Sequence, residues 1–264
     1  MARHLGIAEI ASGILSPAPQ GMTGPLTDMR RYSAARVSLA DVKTICQRFD
    51  VTVNDVALAA ITDRFREAML RREEPIRPDS LRTLVPVSLR KPDELHLPDN
   101  RVSVMLPLLP VELADPLQRL RTVHRRLTQS KASGQSQAGG FLMAASNRLP
   151  FALTAWTVRF LTRLPQRGVV TVATNVPGPR NRVTVMDRPV VSLMPIPPIA
   201  VHLRLGIAIT SYADELAFGV IGDFDAAVDA DDLARGIDDG VQRLVSVTQA
   251  CKRSRRLGNQ LMRS

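Results

Sequence analysis

Long apolar segments and aromatic residues are both scarce in this sequence of 264 residues. No uninterrupted apolar stretch approaches the ~20 residues that a bilayer-spanning helix needs, so no transmembrane segment is predicted. The amino-terminal segment carries one charge before a short apolar run that Glu9 interrupts, which argues against a signal peptide. Aromatic residues make up 4% of the chain and do not interleave with the basic ones, which disfavours nucleic-acid binding.

Cysteine is also rare. Cys46 and Cys251 are far apart, and no cysteine or histidine cluster has the spacing of zinc ligands, so no metal site is predicted. Both cysteines lie in helix-like contexts and are expected to be buried, reduced thiols of a cytosolic protein. Hydrophobic residues, in contrast, form 45% of the chain, which is enough to build a sizeable core.

The net charge of +10 is distributed unevenly. The segment 252–264 carries five basic residues and no acid, so it supplies half of the net charge. The segment 223–239, in contrast, has seven aspartates and one arginine. A basic tail can contact anionic lipid at about 1 kcal/mol per residue near the surface. A plain solvated tail is an equally good interpretation of the same residues.

Composition divides the chain into three parts. Residues 1–30 are rich in Gly, Pro, Ser and Ala without a sustained period, which is typical of a linker or lead-in. Residues 31–250 are predicted to form the domain, and residues 251–264 the basic tail. The domain begins with a short alternating strand near residues 32–37, after which Ser38 is expected to cap a helix.

Further elements follow from the hydrophobic periodicity. Helices are predicted from Thr52, where Asp55 completes a capping-box pattern, and over 116–131, 141–147, 150–164 and from Asp229 or Asp231 to about Ala250. Strands are predicted over 81–89, 102–109, 169–174, 182–186, 190–194, 203–211 and 215–221, the last two as a hairpin. The run 169–174 is expected to be covered on both faces and to turn sharply at 175–179. These elements indicate a layered α/β domain with a mixed sheet.

Two short segments are candidates for a binding site. Asp55 is well explained by helix capping and by the helix dipole, worth about 1 kcal/mol, but Asn54 is not, because Thr52 already supplies the cap. Asn175 to Pro179 ends a strand, which its two prolines would do in any protein. An asparagine that leaves the end of a covered strand is also well placed to face a ligand crevice.

No familiar catalytic motif is present: the sequence has no G-x-S-x-G, Walker, GxGxxG or HExxH pattern. The histidines are isolated from one another. His124 is expected to be a satisfied core or interface histidine on an apolar helix face. His96 is expected to be solvated, and His202 is compatible with either a cleft border or the surface. No catalytic residue is therefore assigned.

Five stretches resemble, in the same order, motifs of the wax ester synthase/diacylglycerol acyltransferase (WS/DGAT) family. The helix start at Asn54-Asp55 is similar to its "TVNDVVLAA" segment, and 174–179 is similar to its "TNVPGP" segment. The stretches 84–90, 100–103 and 115–124 are similar to "VPVSVR", "GNRVS" and "DPVERLRAIH". The resemblance extends over roughly residues 36–250 and is to the family's C-terminal domain.

The resemblance implies one half of the chloramphenicol acetyltransferase-like, CoA-dependent acyltransferase fold, in which two similar α/β halves enclose a tunnel. It also implies a reaction, the transfer of a fatty acyl group from acyl-CoA to diacylglycerol or a long-chain alcohol. The family's general base is the second histidine of an HHxxxDG motif in the N-terminal half. No two histidines are adjacent in this sequence, and Gly206 stands where family members carry asparagine in an "xLNI" segment.

The resulting hypothesis is the C-terminal half of an O-acyltransferase of triacylglycerol or wax ester synthesis. Asn54, Asp55, Asn175, Pro177 and Gly178 are expected to face the channel for acyl-CoA and acceptor lipid. No cofactor beyond acyl-CoA as co-substrate is expected.

The alternative is a non-catalytic module of the same origin that binds lipid or a partner. Both hypotheses predict an exposed apolar face. We expect this face to be covered either by an N-terminal catalytic half as partner or by self-association of the chain. The expected location is the cytoplasm, with peripheral contact to a membrane or lipid droplet through the basic tail, and no nucleic-acid partner is expected.

Overall fold

The computed structural model describes residues 22, 24–78, 80–88, 102–132, 169–199, 203–226 and 229–261, with the backbone alone at 87–88, 102–104 and 252–261. His96, His202 and the two helices expected over 141–147 and 150–164 lie outside the described residues, as does most of the lead-in 1–30. The expectations for these segments stay predictions.

The described part of the chain contains eight strands and four helices. In chain order they are β1 Arg30–Ser38, α1 Leu39–Phe49, α2 Val53–Arg71, β2 Arg82–Ser88, β3 Val102–Met105, α3 Pro116–Ala132, β4 Val169–Pro177, β5 Thr184–Val185, β6 Arg188–Pro189, β7 Leu205–Tyr212, β8 Glu215–Asp223 and α4 Ala230–Leu261. None of these helices is long and apolar enough to cross a membrane.

Six strands form one mixed sheet in the order β1-β8-β7-β4-β2-β3. β4 runs parallel to both of its neighbours, β7 and β2, whereas the pairs β1–β8, β7–β8 and β2–β3 are antiparallel. The helices pack against one another and, through α1 and α4, against β1 and β8. The layered α/β domain with a mixed sheet is therefore confirmed, and so is the β7–β8 hairpin.

The central position of β4 explains its β-branched sequence. Val170 belongs to the main core, whereas Val169 packs with Leu106 and Leu203 in a second cluster. Successive residues of a strand point to opposite faces, so both faces of β4 are covered. The expectation of a doubly covered strand is confirmed.

The two amino-terminal helices begin where the sequence predicts. The Ser38 hydroxyl accepts the Asp41 N–H at 3.2 Å and caps α1. At the start of α2, the Asp55 N–H donates to the Thr52 hydroxyl at 3.2 Å, and the Thr52 N–H donates to the Asp55 carboxylate at 2.7 Å. This reciprocal pair is the predicted capping box. Every residue of α2 from Asp55 to Phe65 is buried, as expected for its apolar first turns.

Ion pairs inside the helical layer join α2, α3 and α4. The Asp63 carboxylate of α2 accepts hydrogen bonds from Arg119 of α3 and from Arg243 of α4, whose Nε lies 2.8 Å away. The side chains of Arg119 and Asp63 are only 2% and 8% exposed. Burial lowers the pKa of Arg119, and the charge of Asp63 opposes that shift. Asp63 therefore holds three helices together while it neutralises a buried guanidinium.

Several predicted boundaries are wrong, among them the end of the strand expected over 102–109, which stops at Met105. β4 continues to Pro177 because β7 pairs with it as far as Ser211, so the chain leaves the sheet at Gly178 rather than turning at Asn175. The strand expected over 182–186 shrinks to β5, which pairs with β6 and with no other strand of the described residues, and no strand forms over 190–194. The last helix does not end near residue 250 but continues to Leu261.

The segment 190–199 crosses the face of the sheet opposite to the helices. Phe218 and Val220 of β8 belong to the main core, so Gly219 between them points to the other face. A Cβ atom at Gly219 would lie 1.6 Å from the Pro195 carbonyl oxygen, which is too close for any residue except glycine. The Tyr32 hydroxyl donates to the same oxygen at 3.3 Å. Gly219 therefore allows this segment to lie directly on the sheet.

Candidate functional site

An open cleft of about 630 Å³ lies at the end of the sheet where the parallel strands β4 and β7 finish. Its walls are the end of β4 and the residues that follow it, the β7–β8 turn, and the first turns of α1 and α2. In α/β proteins, ligands bind beyond the carboxyl ends of parallel strands. The volume is within the ~300–1,000 Å³ usual for small-molecule sites. The position and size make this cleft the candidate functional site.

Three of the five residues predicted from the sequence line one wall of this cleft: Asn175, Pro177 and Gly178. The β4–β7 ladder places Pro177 opposite Ser211, so the chain turns away from the sheet beside the β7–β8 hairpin. A Cβ atom at Gly178 would lie 2.3 Å from the Ser211 carbonyl oxygen, so only glycine fits. The wall therefore depends on a close backbone approach.

The other two predicted residues are placed differently. Val53, not Asn54, is the α2 residue that lines the cleft, and Asn54 follows it as a half-buried side chain. Asp55 is 3% exposed, and its carboxylate lies 2.8 Å from Nδ1 of His124 on α3. Asp55 thus connects α2 to α3 and does not line the cleft. His124 is an interface histidine, with a side chain that is 40% exposed.

Two cations line the cleft, Lys43 of α1 and Arg180 beyond β4. Both are exposed, and neither forms an ion pair or hydrogen bond with any residue that the structure describes. Asp214 in the β7–β8 turn also lines the cleft, and its main-chain carbonyl accepts the Leu39 N–H at 2.9 Å. Two cations against one anion give the cleft a net positive charge.

The thiol of Cys46 lies close to the start of α2. Burial, followed by the negative charge of Asp55, raises the pKa of Cys46 to about 11. Only the thiolate is a good nucleophile, so we expect this thiol to react slowly at neutral pH. Cys46 and Cys251 are free thiols, as expected, but both are half-buried and not buried.

An apolar arm, residues 183–196, follows the cleft wall and carries the β5–β6 pair. Its base is fixed by Tyr212, whose hydroxyl accepts the Val183 N–H and donates to the Val190 carbonyl, both at 2.9 Å. Its side chains are unusually exposed for apolar residues: Val185 58%, Met186 93%, Val191 76% and Ile196 70%. Apolar side chains exposed within one short segment make it a candidate interaction surface.

Sequence reasoning missed the two cleft cations and the partner of Asp55. Lys43 is one of four lysines in a chain otherwise rich in arginine, which is a weak signal at best. Asp55 and His124 are 69 positions apart, and only packing of α3 on α2 reveals their contact. Local sequence patterns contain no information of this kind.

Comparison with known protein families gives two matches. Residues 99–245 match the model of the WS/DGAT C-terminal domain, and residues 3–57 match that of the wax ester synthase/diacylglycerol acyltransferase catalytic domain.

Two proteins of Mycobacterium tuberculosis named as diacylglycerol O-acyltransferases are among the similar sequences. One is 58% identical over 96% of this chain and 55% of its own length, and the other is 44% identical over 90% and 49%. The chain thus spans about half the length of the curated relatives it matches.

Among solved structures, the wax ester synthase/diacylglycerol acyltransferase of Marinobacter aquaeolei VT8 has a TM-score of 0.67 at 21% identity, covering 94% of this chain and 56% of that one. A condensation domain of the enacyloxin polyketide synthase has a TM-score of 0.59 at 13% identity, covering 92% and 46%. At these identities the likeness concerns the fold, and it confirms the expected half of a CoA-dependent acyltransferase fold.

Proposed function

We propose that this chain, which belongs to the wax ester synthase/diacylglycerol acyltransferase family, is the C-terminal half of an O-acyltransferase and provides one wall of its substrate channel. The reaction is the transfer of a fatty acyl group from acyl-CoA to diacylglycerol or a long-chain alcohol. A partner that contains the HHxxxDG motif supplies the general base.

The observation that carries this proposal is the cleft at the ends of β4 and β7. It gathers Asn175, Pro177 and Gly178, which come from the family's "TNVPGP" segment, beside the first turn of the "TVNDVVLAA" helix. Two segments about 120 positions apart thus meet at one concave site. Apolar groups from Leu39, Val53 and Leu216 complete the lining and suit an acyl or pantetheine chain.

The apolar arm supports the proposal of a partner. Met186 and Asp187 at its tip have φ angles of 50° and 60°, in the left-handed region that non-glycine residues rarely adopt. This turn holds Met186 away from the rest of the chain, almost fully exposed. Docking of the N-terminal half on the arm would bury this apolar surface.

The test is a reconstitution. The chain is mixed with a separately expressed N-terminal half of the 58% identical relative, and triacylglycerol formation from acyl-CoA and diacylglycerol is measured. Neither half alone should form product, and the mixture should. Transfer by the purified chain alone would contradict the proposal, because this chain would then need no partner base.

Two variants separate docking from chemistry. Met186→Ser, on the arm, should weaken complex formation measured by gel filtration, whereas Leu70→Ser should not, because Leu70 is 52% exposed at the end of α2, away from the arm. If both variants assemble equally well with the N-terminal half, the arm is not part of the interface.

The exposed arm also favours a second candidate, a non-catalytic module that binds lipid or an intact relative. Under this alternative, Asn175→Ala leaves binding unchanged and the reconstituted mixture stays inactive. Under the acyltransferase proposal, Asn175→Ala abolishes transfer by the reconstituted enzyme, because Asn175 lines the cleft.

A further inference from the structure

We propose that Lys43 and Arg180 form an anion subsite that binds the phosphate groups of CoA at the mouth of the cleft. The inference rests on the proposed function, because it assigns one end of the acyl-CoA co-substrate to particular residues. It concerns recognition of the nucleotide end and not the chemical step.

The two cations of the cleft have no partner of opposite charge among the residues that the structure describes. Within the described part of the chain, Lys43 and Arg180 have no carboxylate partner, whereas Arg64, Arg119 and Arg243 are all held by acids. An unpaired ammonium and guanidinium are free to donate to phosphate oxygens. Arginine does so in a planar, bidentate geometry, and lysine acts as a mobile point charge.

The two cations come from different parts of the chain. Lys43 is one turn after Leu39 at the start of α1, and Arg180 follows the last residue of β4 by three positions. Both line the same cleft of about 630 Å³, so a single ligand can contact both. The charges meet at a concave site and are not spread over a flat surface.

The remaining groups of the cleft suit the rest of CoA. Pantetheine contains two amides, and the Asn175 carboxamide can both donate to and accept from an amide. Leu39, Val53 and Leu216 offer apolar contacts for its aliphatic part. Phosphate, amide and alkyl groups of one ligand therefore each find a matching surface.

Asp214 works against this site and provides its sharpest test. It lines the same cleft, and its carboxylate forms no ion pair with Lys43 or Arg180. A bound phosphate would be repelled by this charge. Removing the charge should therefore tighten binding, an effect that misfolding does not produce.

The experiment measures binding of free CoA to the full chain by calorimetry at fixed low salt. The double variant Lys43→Ala/Arg180→Ala should weaken binding by roughly a factor of ten or more, and Asp214→Asn should strengthen it roughly two- to threefold. The control Lys131→Ala/Arg77→Ala removes two exposed cations elsewhere and should change nothing. Pantetheine, which lacks the nucleotide, should bind wild type and double variant equally.

A phospholipid headgroup shares the phosphate chemistry, so vesicles that contain phosphatidylglycerol form the second arm. The proposal is supported if the double variant loses affinity for CoA but not for the vesicles. It is overturned if the double variant loses affinity for the vesicles but not for CoA. No CoA binding by wild type, or equal CoA binding by the double variant, also overturns it.

The fate of the proposed function is read separately from the reconstituted transfer rate. If acyl transfer is normal and the affinity for CoA is unchanged in the double variant, the proposed subsite is wrong and the proposed acyltransferase function is retained. If CoA affinity depends on both cations but the mixture never forms product, the subsite stands and the function fails.

Discussion

The helical layer and the cleft end of the sheet use polar groups in opposite ways. In the layer formed by α2, α3 and α4, the buried Asp63 is held by Arg119 and Arg243. At the cleft, Lys43 and Arg180 have no partner among the described residues. Paired buried charges fix how helices pack, whereas unpaired charges at a concave edge remain available to a ligand. The contrast separates residues that maintain the fold from residues that serve the site.

The largest effect is expected from removing the buried ion pair of the helical layer. Asp63→Ala leaves Arg119 buried without its counter-charge, and should lower the free energy of unfolding by about 3–5 kcal/mol. Urea denaturation measures this loss. Asp239→Ala, on an exposed face of α4, should change stability by less than about 0.5 kcal/mol. Similar small losses in both variants would show that the buried pair contributes little.

A second prediction concerns pH. Asp223, at the end of β8, is fully buried; burial alone would raise its pKa, but hydrogen bonds from the Thr27 N–H and hydroxyl, at 2.7 and 3.0 Å, lower it. A lowered folded-state pKa adds stability above the unfolded-state value of about 3.9. This stability is lost as the pH falls through the folded-state pKa.

Asp223→Asn should therefore cost about 2 kcal/mol at pH 7, since hydrogen bonds to charged groups contribute about 1.5–3 kcal/mol. The difference from wild type should shrink as the pH falls below about 4. Thermal unfolding at pH 7 and pH 3 measures both values, with Asp225→Asn, an exposed neighbour, as control. A difference that grows on acidification would contradict the assignment.

Tyr212→Phe tests the base of the arm. It removes one acceptor for the Val183 N–H and one donor to the Val190 carbonyl, and should cost about 1 kcal/mol or less in global stability. Hydrogen exchange of the Val183 amide should nevertheless accelerate strongly, because its protection is local. Unchanged exchange at this amide would show that the hydroxyl does not fix the arm.

The last prediction concerns the reactivity of the Cys46 thiol and involves no change in the stability of the protein. With Cys251 replaced by alanine, the thiol of Cys46 should react with iodoacetamide far more slowly than a free cysteine at pH 8, because its pKa is about 11. Urea at denaturing concentration should restore the ordinary rate. Rapid alkylation in the native protein would contradict the burial that raises this pKa.

The sequence predicts the elements better than the contacts between them. The capping box at Thr52 and Asp55 and the β-branched strand β4 are recoverable because each depends on neighbouring residues. The extension of β4 to Pro177 is not, because β7 supplies the pairing from 34 positions away. The same holds for the site: Asn175 was found from its position after a strand, whereas Lys43 was not, because no local pattern places it on a cleft wall.

The most direct test of the account is the effect of Asn175→Ala on acyl transfer by the reconstituted enzyme. Asn175 lines the cleft, whereas Gln47 is an exposed carboxamide on α1 outside it. We expect Asn175→Ala to abolish product formation while assembly with the N-terminal half and the melting temperature stay normal. Gln47→Ala should be indistinguishable from wild type. Full transfer activity in a folded, assembled Asn175→Ala enzyme would contradict the claim that this cleft is the functional site.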